Sequence, residues 1–197
     1  MILIVQRTGQ RRYAIQAQRP QLPDVVMNPA PGYDPVMPHD LLHLVVEAQL
    51  SLKGGVFGQL AAGGHAGTFH PIQESGASAR AGARQRHRLN RRGKKLIHEG
   101  RDDSMQSERA TYICWYEWLA RSPLAERRKA ARGMSEQANH IRGTAPANEM
   151  RALNEKNIEL ICRHLDELSS HWSRLAVGES MAVRWPDLAV SSNASVL

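Results

Sequence analysis

The amino-acid sequence predicts an α+β fold: a small antiparallel sheet, built from an N-terminal hairpin and a C-terminal strand, packed against several helices including one long C-terminal helix. Three observations predict it. Residues 3–7 and 13–18 are β-prone runs flanking Thr8, Gly9 and Gln10. Residues 39–52 and 105–120 carry apolar side chains at helical spacing. Residues 147–176 repeat apolar positions every three or four residues up to Gly178. With 197 residues the chain buries a core without needing a disulfide or a metal, and a single domain over residues 1–190 is expected, followed by a frayed tail at 191–197.

Each element has its own local reason. In the second hairpin run Tyr13, Ile15 and Ala17 alternate with Ala14, Gln16 and Gln18, the period of a strand with one face covered. Prolines at 20, 23, 29, 31, 35 and 38 forbid a regular helix between the hairpin and His39, and predict an extended crossing loop. The helix that follows is apolar on nearly every side, and Gly54 and Gly55 read as its C-terminal cap. Residues 56–62 continue as a short second helix that Gly63 and Gly64 end.

In the 105–120 helix, Met105, Arg109, Tyr112, Tyr116 and Leu119 form one stripe, widened by Ile113, Trp115 and Trp118. Four aromatic side chains between 112 and 118 read as core, or as the face of a homo-oligomer. Residues 125–134 continue as a basic helix. The 147–176 helix is the expected spine, and residues 181–185 alternate again, predicting a strand that returns to the hairpin.

Composition narrows the function classes. The longest apolar runs are about five residues, too short for a membrane helix. The apolar start runs straight into Gln6 and Arg7 without the plan of an export signal. Cys114 and Cys162 show no C-x-x-C spacing, so a cytoplasmic, reducing setting is expected. The formal net charge is +7, and it is concentrated: Arg80, Arg84, Arg86, Arg88, Arg91, Arg92, Lys94 and Lys95 occur without an acid among them. The rest of the chain is close to neutral. This Gly-, Ala-, Ser- and Arg-rich segment predicts a flexible basic loop over about 74–98. Such a loop binds nucleic acid through phosphates, without sequence preference, or simply stays solvated. It has no aromatic residue on which a base could stack.

The strongest chemical motif is His39-Asp40-Leu41-Leu42-His43, with Glu47 one turn further on. Side chains four apart on a helix lie one turn above each other, so His39 and His43 can offer imidazole nitrogens to one ion, with Glu47 orienting His43 or reaching the metal. The five residues resemble the H-E-x-x-H helix of zinc metallohydrolases, with Asp40 where that motif has its glutamate base. The resemblance implies a Zn2+ site at His39 and His43 and a metal-dependent hydrolase in which Asp40 and Glu47 serve as base or orienter. A third ligand is then needed, and His65, His70 and Glu74 are candidates beside Glu47. Tyr33 and Asp34 are candidates for a polarising hydroxyl and a supporting carboxylate. The alternative is a module without catalytic activity, binding nucleic acid through Arg84, Arg86, Arg88, Arg91, Arg92, Lys94 and Lys95, or a partner through the aromatic helix. No nucleotide-binding glycine loop or nucleophile elbow occurs.

Overall fold

The computed structural model describes residues 1–72 and 79–192. Its centre is an antiparallel sheet of six strands: β1 (Ile2–Gly9), β2 (Arg12–Gln18), β3 (Val25–Ala30), β4 (His70–Pro71), β5 (Ser180–Arg184) and β6 (Val190–Ser192). They lie in the order β4-β3-β2-β1-β5-β6. The expected hairpin is β1 with β2, paired from Ile2↔Gln18 to Gly9↔Arg12 with a bulge between Arg7 and Gly9. The expected returning strand is β5, in register with β1 from Ile2↔Arg184 to Gln6↔Ser180.

The sheet is wider than the sequence predicts. The proline-rich crossing contains β3, because Val25 to Asn28 is a proline-free stretch beside the second hairpin strand, where it pairs with β2. Pro29, which has no N–H to give, falls where the β2–β3 register shifts, between Tyr13 and Ile15. The tail is likewise partly ordered: Ser191 and Ser192 pair with Ala182 and Met181. Residues 193–197 and Glu74 lie outside the described residues.

One face of the sheet carries Leu3, Val5, Tyr13, Ile15, Ala17, Val25, Met181 and Val183, all essentially without solvent exposure. Against them pack α1 (His39–Leu50) and α7 (Glu155–Arg174), and α4 (Arg101–Ala120) packs on both of these helices. Trp172 of α7 is fully buried, meets Tyr13 and Tyr33 edge to face, and donates its indole N–H to the Asp34 carbonyl at 2.9 Å. The remaining helices are α2 (Val56–Ala61), α3 (Ala79–Glu99), α5 (Ala125–Thr144) and α6 (Ala147–Ala152).

Three helix readings need correction. Residues 79–99 are helical, not a flexible loop: Arg, Ala, Leu, Lys and Gln are good helix formers, and Leu89 and Gly93 are buried on the inner face. The spine is broken, because Asn154 caps α7 by accepting from the Asn157 N–H at 3.0 Å, leaving α6 as a separate turn; α7 is therefore about 30 Å long. The cap of α1 is Ser51, in the left-handed region at φ 56, with the Leu52 N–H returning to the Glu47 carbonyl at 2.9 Å. Gly54 and Gly55 do other work. A Cβ on Gly54 would lie 2.5 Å from Gly100 Cα, so the glycine lets the α1–α2 turn press onto the α3–α4 junction.

Candidate functional site

Two places concentrate chemistry, one on α1 and one on α3. At the first, Pro38 occupies the N-cap and His39 is the first helical residue, so the predicted one-turn relation to His43 holds. The rings are 4.7 Å apart, centre to centre, and inclined at 67°. His39 is exposed, with Trp115 of α4 as a second ring neighbour at 6.5 Å. His43 is buried, and burial, reinforced by the charge of His39, pushes its pKa down to about 4.

What holds His43 is a chain of polar groups that the sequence reading did not include. Its Nδ1 lies 2.9 Å from Ser107 Oγ and 3.3 Å from Thr111 Oγ1, both on the buried face of α4. Ser107 in turn donates its hydroxyl to Glu47 Oε1 at 2.9 Å. With Glu47 ionised, that hydroxyl hydrogen is committed, so Ser107 can only accept from His43, which places the imidazole proton on Nδ1 and a lone pair on Nε2. The Nε2 faces Glu108 Oε2 at 3.7 Å, on a side chain that is 72% exposed.

Glu47 is linked to His43 through Ser107. It has no solvent exposure, and its carboxylate also accepts the Val56 and Phe57 N–H groups at 2.9 and 2.8 Å, satisfying the start of α2. Burial pushes its pKa up to about 7, against the downward pull of those hydrogen bonds. Asp40 turns the other way, toward the sheet, and accepts the Tyr13 hydroxyl. Burial raises its pKa, while the Tyr13 bond and the nearness of His39 lower it. Neither carboxylate of the motif lies beside His43 Nε2.

The weaker candidates are used elsewhere. The Tyr33 hydroxyl accepts from Arg7 at 2.8 Å, and Asp34 Oδ1 takes the N–H groups of Val36 and Met37. His65 lies under Gly93 of α3 and accepts the Gly67 N–H at 2.9 Å, while His70 sits on the edge strand opposite Val26. Among the described residues no group of three or more His, Cys, Asp or Glu side chains is placed to hold a metal ion.

The second place is the basic helix. At 100° per residue, Arg84, Arg88, Arg91 and Lys95 fall within about 60° of one another, Arg92 borders them, and Arg86 and Lys94 point elsewhere. The five are exposed. Only Lys95 has a carboxylate at ion-pair distance among the described residues, Glu99 at 3.7 Å. On one side of the stripe, Arg84, Arg88 and Arg92 line a cleft of about 550 Å³ whose other wall is Leu22, Pro23 and Gly63. Arg84 and Arg88 also border a shallower depression with Ala83 and His87.

Of the aromatic run of α4, Trp118 lies in the core, while Tyr112, Trp115 and Tyr116 are half-buried. Trp118 is buried, donates to Asp166 at 2.7 Å and is covered by the Arg127 guanidinium at 4.6 Å; Arg142 covers Tyr116 at 5.4 Å. No helix among the described residues is long and apolar enough to cross a membrane. No protein-family model, curated protein or solved structure matches this chain.

Proposed function

We propose that the chain binds nucleic acid through its phosphate backbone, using the outer face of α3. The observation that carries this reading is the alignment of Arg84, Arg88 and Arg91 on one exposed stripe without a carboxylate partner among the described residues. Like charges so arranged repel each other and are relieved by an anion with the same linear spacing. Guanidinium groups suit phosphate because their paired N–H donors match two phosphate oxygens. No aromatic side chain stands on the stripe, so the affinity comes from phosphates and carries no base preference.

The test is fluorescence anisotropy with a single-stranded oligonucleotide across a salt series. Four phosphate contacts give a slope of log K against log salt near about −3, and a loss of about 50-fold between 50 and 200 mM salt. A triple variant, Arg84→Gln, Arg88→Gln, Arg91→Gln, removes most of the slope. A parent protein with no binding at low salt ends the reading.

A second reading, a divalent cation such as Zn2+ at the histidine pair, is favoured by one distance. His43 Nε2 and Glu108 Oε2 stand 3.7 Å apart, close to the separation of about 3.4 Å between two ligands of a tetrahedral zinc. His39 and Glu108 are both exposed and free to turn toward a shared ion. A hydrolytic step would lack its base, since Asp40 is held by Tyr13 and Glu47 is sealed from water, so this reading is one of metal binding. Calorimetric titration of Zn2+ tests it: uptake that His43→Ala and Glu108→Ala abolish supports it, and no uptake by the parent protein removes it.

A further inference from the structure

We infer that the cleft between α3 and the 22–23 and 63–64 turns captures a terminal phosphomonoester of a nucleic-acid strand, its phosphate held by Arg88 and Arg92 and its terminal nucleoside lying on Leu22, Pro23 and Leu89. The inference rests on the strand-binding reading and adds to it a preferred point of attachment.

The cleft is a built feature. Arg19, the residue after β2, is 5% exposed, and its guanidinium is spent on main-chain carbonyls: Pro23 through Nε at 2.9 Å, Leu60 at 3.1 Å and Gly64 at 2.7 Å. One buried side chain therefore fixes both turns that form the wall. It also leaves a positive charge beneath that wall: burial weakens the guanidinium's hold on its proton, Asp24 strengthens it, and Arg92 opposes it by repulsion. The Arg92 guanidinium lies against the neighbouring residue, since a Cβ on Gly63 would stand 3.1 Å from its central carbon. Gly63 has φ +85, so glycine is required there both by the backbone and by the arginine's approach.

Two guanidiniums brought to adjacent residues, with Arg84 and Arg88 along the same cleft and no acid among the described residues that line it, create a local excess of charge that a dianion relieves better than a monoanion. An internal phosphodiester carries one negative charge, whereas a terminal monoester carries close to two at neutral pH and offers three equivalent oxygens. The volume of about 550 Å³ is in the range of small-ligand sites, and the apolar side of the lining, Leu22, Pro23 and Leu89, gives a sugar and base a surface to cover.

The experiment compares one ten-nucleotide oligothymidylate in three forms, 5′-phosphorylated, 3′-phosphorylated and with both ends hydroxyl, binding to the full chain at fixed salt, with thymidine 5′-monophosphate as competitor. We expect one phosphorylated form to bind about tenfold more tightly than the hydroxyl form, the better end identifying the polarity, and the mononucleotide to compete with it. Arg92→Gln should remove that preference while the hydroxyl form loses no more than about threefold; Arg86→Gln, off the stripe, should change neither. Equal affinity for all three forms overturns this inference and leaves strand binding intact. A preference that survives Arg92→Gln also overturns it, because the end is then held elsewhere. Binding of none of them overturns both.

Discussion

Glu47 and Gly55 meet so closely that a Cβ built on the glycine would lie 2.3 Å from the carboxyl carbon. The backbone of Gly55 is extended, at φ −69 and ψ −179, so its requirement is space and not conformational freedom. Only a residue without a side chain lets the buried carboxylate reach the N–H groups of Val56 and Phe57. Gly55→Ala is expected to destabilise the chain by about 1–3 kcal/mol through overpacking. Glu47→Ala, which strands two amides and the Ser107 hydroxyl, should cost about 2–4 kcal/mol. Urea unfolding checks both, and neither should alter oligonucleotide binding measured under folded conditions.

The same carboxylate and His43 set opposing pH dependences. Glu47 keeps its proton in the folded chain up to about pH 7, against an ordinary value of 4.5. The unfolded chain therefore loses that proton first, and stability falls as pH rises from about 4.5 to 7. His43 refuses a proton down to about pH 4, against an ordinary 6.5, so its effect is that stability falls as pH drops from about 6.5 to 4. Between pH 4.5 and 6.5 the two largely cancel. Glu47→Gln should uncover the histidine slope, a rise of no more than about 3 kcal/mol across that window, and His43→Gln should uncover the opposite slope. Unfolding free energies at pH 4.5, 5.5 and 6.5 read the signs directly.

Tyr13 to Phe separates the structural role of Asp40 from any chemical one. The hydroxyl serves both Asp40 and the Pro31 carbonyl, and burial raises the tyrosine's own pKa well above its ordinary value. Removing it should cost about 1–2 kcal/mol in thermal unfolding and push the Asp40 carboxyl, already raised by burial, further up. The carboxyl shift is measurable by NMR titration. An unchanged Asp40 titration would show that the tyrosine does not govern it.

Charge on α3 should matter by position and not by number. Arg88→Gln, on the stripe and in the cleft, should lower the salt slope of oligonucleotide binding by about 0.7, the share of one phosphate contact on a single strand. Arg86→Gln removes the same charge about 160° away along the helix circumference and should leave the slope unchanged. Equal effects from both would mean that net charge, and not the stripe, drives association.

Much of the fold is legible in the residues because it depends on local periodicity. The alternation at Tyr13, Ile15 and Ala17, the apolar run after His39 and the repeat ending at Trp172 each bury the side they predict. Elements whose identity depends on partners were not legible. β3 has prolines on both sides and pairs only because β2 lies alongside it. The basic helix carries so few large apolar groups that its periodicity is hidden until Leu89 and Gly93 meet the turns around His65. The 105–120 stripe is rotated from its predicted face for the same reason: Met105 is 43% exposed, while Ser107 and Thr111, polar and unremarked in the sequence, point inward to receive His43.

The sequence by itself determined where helices and strands could form, that His39 and His43 share one helix face, and that the positive charge is concentrated in one segment. These follow from bond geometry and composition within a few residues. Only the tertiary structure decided what those groups touch. It set Glu47 under the start of α2, turned Asp40 to Tyr13, and brought Arg19 and Arg92 to the adjacent residues Gly64 and Gly63. Hydrogen bonds and Coulomb forces act across a few ångströms of space regardless of chain separation, and such neighbours, 27 positions apart for Tyr13 and Asp40 and 45 for Arg19 and Gly64, exist only after the hydrophobic core has closed.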